Sequence, residues 1–135
     1  MRPTKRRRGA GLTVGLVLVL ATAPMALAAS ALPFTYTIAM IRAVRGRDMV
    51  STNGNFCNTF QATHVDNILL DPNIWIELRK PPFDDLVGAT VSYSNNGAAH
   101  VFCWKGFRAG ETYFFKYFKR DNGKEVDGKG TVRDN

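Results

Sequence analysis

Cysteine and histidine are both scarce in this chain, with two of each in 135 residues. The histidines, His64 and His100, are far apart, and neither C-x-x-C nor H-x-x-x-H spacing occurs. The usual sequence grounds for a zinc site are therefore missing. Also missing are G-x-S-x-G, H-E-x-x-H and the P-loop, the signatures of serine hydrolysis, zinc proteolysis and nucleotide phosphate binding. Acids are present, but none falls into a constellation that its spacing justifies. The expectation is a non-enzyme with no cofactor and no metal.

What is abundant at the N-terminus is positive charge. Arg2, Lys5, Arg6, Arg7 and Arg8 precede an apolar run from Leu12 to Ala23, then Pro24 and the small-residue site Ala26-Leu27-Ala28. Basic head, apolar middle and A-x-A site in that order describe a secretory signal peptide over residues 1–28. The apolar run is shorter than the roughly 18 residues that suggest a membrane span. An uncleaved N-terminal anchor is the alternative, and the Arg6-Arg7-Arg8 triplet leaves the twin-arginine route open beside the general one. No cysteine lies near the site for a lipid anchor.

The leader distorts the charge of the whole. The chain carries 18 basic and 11 acidic residues, net +7. Removing five basic residues and no acidic one leaves 13 against 11, or +2. That balance is weak ground for nucleic-acid binding. Residues 29–135 suit one domain with one core. In an oxidising compartment Cys57 and Cys103 are expected to form a disulfide. It would close a loop of about 45 residues, worth roughly 4 kcal/mol in the chain-entropy model.

Residues 33–43 alternate with period two and read as a strand. Residues 42–48 follow as a basic loop, in which Arg42, Arg45 and Arg47 are candidate anion contacts or a solvated turn. Asn53-Gly54, Asn96-Gly97 and Asn122-Gly123 each match the dipeptide that suits a type I′ hairpin, so an antiparallel all-β fold is expected. Strands are expected around Cys57 and over residues 74–80, and residues 64–67 and 71–73 as turns. If Asn96-Gly97 is a two-residue hairpin loop, Tyr93 faces His100, Val91 faces Phe102 and Ala89 faces Trp104. Cys103 then lies on the opposite face, and the disulfide joins neighbouring strands of one sheet. If Asn122-Gly123 is another, Tyr117 faces Gly128 and Phe115 faces Gly130, with the aromatics covering the glycines. Tyr113, Phe115 and Tyr117 then face the core, and Phe114, Lys116, Phe118 and Arg120 face away.

The segment Gly106-Phe107-Arg108-Ala109-Gly110-Glu111-Thr112-Tyr113 resembles the corner leading into strand F of fibronectin type III domains. Phe107 matches its apolar residue, Gly110 its turn glycine and Tyr113 its corner tyrosine, whose hydroxyl would bond the backbone a few residues upstream. Ala109 stands where proline is usual and Glu111 where threonine is. The resemblance implies an immunoglobulin-like antiparallel β-sandwich of about seven strands over residues 29–135, with Trp75 a candidate core tryptophan.

Function is then expected from surfaces. The first candidate is a binding face of Phe114, Lys116, Phe118 and Arg120 with Lys129 alongside, suited to an anionic envelope polymer, carbohydrate or an acidic protein. The alternative is that this face is covered. The second candidate is a secreted effector, an inhibitor or antimicrobial protein, acting through the loops at residues 42–48 and 80–85. Either way the protein is expected outside the cell or on its envelope, touching the membrane only through the leader if that is uncleaved.

Overall fold

The alternation in residues 34–40 has a direct counterpart in a computed structural model that describes residues 28–134. In strand β2 (Phe34–Met40) the residues Phe34, Tyr36, Ile38 and Met40 turn inward, while Thr35, Thr37 and Ala39 are exposed. The expected leader, save Ala28, lies outside the described residues. The other elements are β1 (Ser30–Ala31), β3 (Ala43–Arg45), β4 (Met49–Val50), β5 (Phe56–Val65), β6 (Asn73–Lys80), β7 (Asp85–Leu86), β8 (Val91–Ser94), β9 (His100–Trp104), β10 (Thr112–Phe118) and β11 (Val126–Arg133). The described fold is all-β. The expected loop at residues 42–48 is partly a strand, because residues 43–45 pair with Phe118, Tyr117 and Lys116.

Two sheets form. One runs β2-β11-β5-β9. The other is centred on β10 and β6. Both β3 and β4 pair with β10, along successive parts of it, so together they make one interrupted edge strand. Gly46 bridges the interruption by donating its N–H to the Phe115 carbonyl at 2.7 Å. In the same way β7 and β8 share the other side of β6, and β1 adds parallel to β4. Counting each interrupted edge once, from β2 onward, the sheets read 1-8-3-6 and 2-7-4-5. That is the order of a jelly roll of two Greek keys. An immunoglobulin domain keeps its first two strands in one sheet, whereas here they lie in opposite sheets. The immunoglobulin-like order is therefore replaced.

The reason lies in the three Asn-Gly dipeptides, each of which sits where the chain changes sheet: β4 to β5, β8 to β9 and β10 to β11. A type I′ turn needs positive φ at both central residues. Here Gly54, Gly97 and Gly123 have φ of 75°, 83° and 69°, and none of the asparagines has positive φ. Each asparagine instead accepts, through Oδ1, the N–H two residues on, at 3.0 Å to Asn55, Ala98 and Lys124. These Asx turns carry the chain across the core rather than back along its own sheet. The expected hairpin registers accordingly do not form. Tyr93 lies opposite Ile74, His100 opposite Phe60, and Tyr117 opposite Ile76.

Face assignments survive the change of partners, because they depend only on parity along one strand. Tyr113, Phe115 and Tyr117 are buried, together with Phe56, Phe60, Ile74, Ile76, Leu78, Val126 and Val132 from both sheets. The core tryptophan is Trp104, at 2 % exposure. Trp75 lies on the outer face, stacked on Phe118 with ring centroids 5.9 Å apart.

Aromatic cover of the β11 glycines is present, but with other aromatics. A Cβ on Gly128 would stand 2.1 Å from the Phe60 ring, and one on Gly130 would stand 2.5 Å from the Tyr36 hydroxyl and 1.8 Å from the Thr59 carbonyl oxygen. The last is backbone and cannot swing aside. Gly130→Ala is therefore expected to cost about 3 kcal/mol, at the upper end of ordinary overpacking. Urea denaturation would measure it, and an unchanged midpoint would show that β11 can shift away from β5.

Candidate functional site

The outer face of β10 does not hold together as the expected binding face. Phe114 is buried at 2 % exposure, with the Arg45 guanidinium 3.8 Å above its ring. Lys116 bonds Asp84 at 3.3 Å. Arg79 bonds the Glu77 carboxylate beside it, and Thr90 donates to the same carboxylate at 3.0 Å. Only Phe118, half-buried against Trp75, and Arg120 remain available. Lys129 belongs to the other sheet, where it pairs with Thr37 and Gln61. The expected face assumed that β10 and β11 were neighbours, and they are not.

Nor do the three arginines converge on one anion. Arg42 points to Asp121 at 3.6 Å, Arg45 bonds Asp48 at 2.7 Å, and Arg47 lies over the Phe34 ring at 4.6 Å.

A concave site lies elsewhere, a cleft of about 700 Å³ along β2, on the side where β3 and β4 edge the other sheet. A volume of this size is in the range of small-ligand sites. Phe34, Tyr36 and Ile38 line it from β2, and Val44, Met49, Phe115 and Tyr117 from the opposite sheet. Round the outer side of β2 it reaches Thr35, Thr37, Thr59, Thr131, Gln61 and Lys129. Its charged lining is Arg45, Arg47 and Lys129, with no carboxylate. Arg45 is matched by Asp48, whereas no carboxylate among the described residues pairs with Arg47 or Lys129.

Behind the cleft is a polar cluster that sequence patterning did not reveal. Asn58, fully buried on β5, accepts the Tyr36 hydroxyl on Oδ1 at 2.7 Å and donates from Nδ2 to the Tyr117 hydroxyl at 3.0 Å. Its carbonyl takes the Tyr93 hydroxyl at 2.8 Å. Burial pushes the pKa of all three tyrosines well above the ordinary phenol value, so they act as neutral hydrogen-bonding groups. The only hint in the sequence was an asparagine between Cys57 and Phe60 at a core-parity position.

The corner tyrosine also departs from its pattern. Tyr113 donates to Glu111 at 3.3 Å, a side-chain contact in place of the expected backbone bond. Phe107 still packs on the Tyr113 ring at 5.9 Å, and Gly110 has φ of 78°. Glu111 also accepts Lys80 at 2.6 Å and Arg108 at 3.2 Å, and the Lys80 bond in particular holds its carboxyl below the usual range. Asp66 is likewise lowered, first by the Glu125 N–H and then by His64. A carboxylate depressed in the folded state contributes stability that is present above its unfolded pKa and lost as pH falls through its folded pKa. Melting temperature should therefore fall as pH drops from about 5 toward 2, and Glu111→Gln should flatten that limb. Calorimetry across that range would reveal a limb unaltered by the substitution if the assignment is wrong.

Cys57 and Cys103 form a disulfide, S–S 2.06 Å, between directly paired residues of β5 and β9 on the face away from Trp104. It staples neighbours in one sheet, as expected, and it is compatible with an extracellular location. His64 bonds Asp66 at 2.9 Å and His100 bonds Asn96 at 2.8 Å. Among the described residues no three His, Cys, Asp or Glu side chains gather as metal ligands. No protein-family model matches the chain, and no curated protein matches it.

Proposed function

We propose that this chain is an exported, non-catalytic binding module that works at or outside the cell surface and takes an anionic ligand into the cleft along β2. The observation that carries this is the lining of the cleft: an aromatic and aliphatic floor, two cations without carboxylate partners, and no acid. Apolar walls with a few oriented polar groups are what ligand sites have in common, and unmatched cations select for negative charge. The cross-strand disulfide suits an oxidising compartment. An uncleaved leader would display the same cleft from an anchor.

The test is co-sedimentation of the purified protein with washed cell envelopes, beside an Arg47→Ala, Lys129→Ala double variant of verified fold. The native protein should sediment in a salt-sensitive manner and the variant should stay in the supernatant. Equal sedimentation of both would remove the cleft from the reading.

A second reading, a secreted effector, draws on the loop at residues 80–85. Phe83 is 82 % exposed between Pro82 and Asp84, a projecting aromatic of the kind that enters a partner's pocket. Under this reading Phe83→Ala would abolish activity in a protease-inhibition or growth-inhibition panel while leaving envelope sedimentation unchanged.

A further inference from the structure

The strand that walls the cleft has a free edge. Among the described residues β2 pairs with β11 on one side only, so the backbone N–H and C=O groups along its other side are not used by the described sheet. Natural edge strands are commonly protected by a charge, a bulge or a covering element. Phe34–Met40 itself contains no charged residue and pairs with β11 without a register shift, and Arg47 packs over the ring of Phe34 at its first residue. The cleft opens along this edge. Resting on the binding-module reading above, we infer that the ligand is an extended acidic segment of a partner protein, which adds to β2 as a further strand.

Strand geometry defines the sequence pattern this segment needs. Successive side chains of an added strand point to opposite faces of the sheet. One set enters the opening between the sheets, where Val44 and Met49 face Phe34 and Tyr36, and this set must be apolar. The other set lies on the outer face beside Thr35 and Thr37, and Lys129 is the cross-strand partner of Thr37. An added strand would run about 4.8 Å beyond β2 and so about 10 Å from β11, a gap that a lysine stem and a glutamate together span. The outward set is therefore acidic near Thr37. Arg47, over the inward-turned Phe34 ring at the first residue of β2, calls for an acid at the end of the segment, past its last inward apolar residue. The segment alternates apolar and acidic residues, the mode in which main-chain bonds give affinity and alternate side chains give specificity. A second copy of this chain fits poorly, because an uncharged β2 offers nothing to Arg47 and Lys129.

The probe is a heptapeptide alternating glutamate and valine, blocked at both ends, titrated calorimetrically into the full protein. Saturable binding is expected. It should weaken roughly tenfold or more, the effect of about 1.4 kcal/mol, when glutamate is replaced by lysine or when the protein carries Arg47→Ala and Lys129→Ala. Two N-methylated probes test the geometry. In an added strand only every second N–H points at β2, so methylating the valine nitrogens and methylating the glutamate nitrogens must give opposite results, one abolishing binding and one sparing it. Equal tolerance of both would show charge attraction without strand addition and overturn the inference. So would absence of binding to the unmodified probe, or a dimer in sedimentation velocity that the probe does not dissociate. Envelope sedimentation that depends on Arg47 and Lys129, found together with a failed peptide, leaves the binding module standing and removes only the peptide.

Discussion

Lys119→Ala is expected to cost about 3–5 kcal/mol of folding stability, the amount typical of breaking a buried ion pair from one side. The Lys119 side chain has 0 % exposure and Asp71 1 %, and they meet at 3.3 Å. Lys119 Nζ also donates to the Arg120 carbonyl and the Asn122 Oδ1, both at 2.8 Å. Asn122 donates in turn to both oxygens of Asp71 at 3.1 Å, and Asn95 donates to the Asp71 carbonyl at 2.9 Å. The cluster ties the β5–β6 loop to the turns leading into β9 and β11, so its loss loosens one whole end of the sandwich. Truncating the lysine strands a carboxylate where water cannot reach it, whereas replacing both partners removes the stranded charge. The paired variant Asp71→Asn, Lys119→Met should therefore be less damaging than the sum of its single changes. Urea titration of the four proteins measures this. If Lys119→Ala shifts the midpoint no more than an exposed Lys124→Ala does, the pair is solvated and the prediction fails.

Reduction of the disulfide is the second large effect. Cys57 and Cys103 are 46 residues apart, for which the loop-entropy model gives about 4 kcal/mol at room temperature. The placement of the bond says where the loss is felt. β9 is the edge strand of its sheet and pairs only with β5. Without the covalent link, residues 100–104 should open first. Hydrogen exchange after Cys57→Ala, Cys103→Ala should show faster exchange in β9, while β2 and β11 keep their protection. Uniform loss across both sheets would mean that the link stabilises through the unfolded chain alone. Alkylation without reductant should leave Cys57 and Cys103 unmodified, and alkylation after reduction should add two alkyl groups to the intact mass. Two alkyl groups added without reductant would refute the bond.

How far these features could be read from residues varies from element to element. Asp71 reads as a turn residue beside Pro72 and lies in the β5–β6 loop, but its partner Lys119 is 48 positions away and no local pattern joins the two. Phe114 alternates with Tyr113 and Phe115, and that parity puts it on the outer side. That it is nevertheless buried follows from Arg45, which a short unforeseen strand brings over its ring. The cleft is not legible in the sequence because its cations, Arg47 between β3 and β4 and Lys129 on β11, come from segments distant in the chain that only the fold brings together.

The sequence by itself determined the all-β class, the alternating faces of β2, β6 and β10, the core side of Tyr113, Phe115 and Tyr117, and the pairing of two lone cysteines. These are local properties: which side a residue takes depends on its parity within one strand, and two cysteines allow only one intramolecular bond. Tertiary structure alone decided which strands are neighbours. An Asn-Gly dipeptide supports a turn back within one sheet or a crossing to the other, and the choice rests on which apolar faces can be buried together. From that choice came the jelly-roll order, the dispersal of the expected β10 face, the buried Asp71–Lys119 pair and the cationic cleft along the free edge of β2.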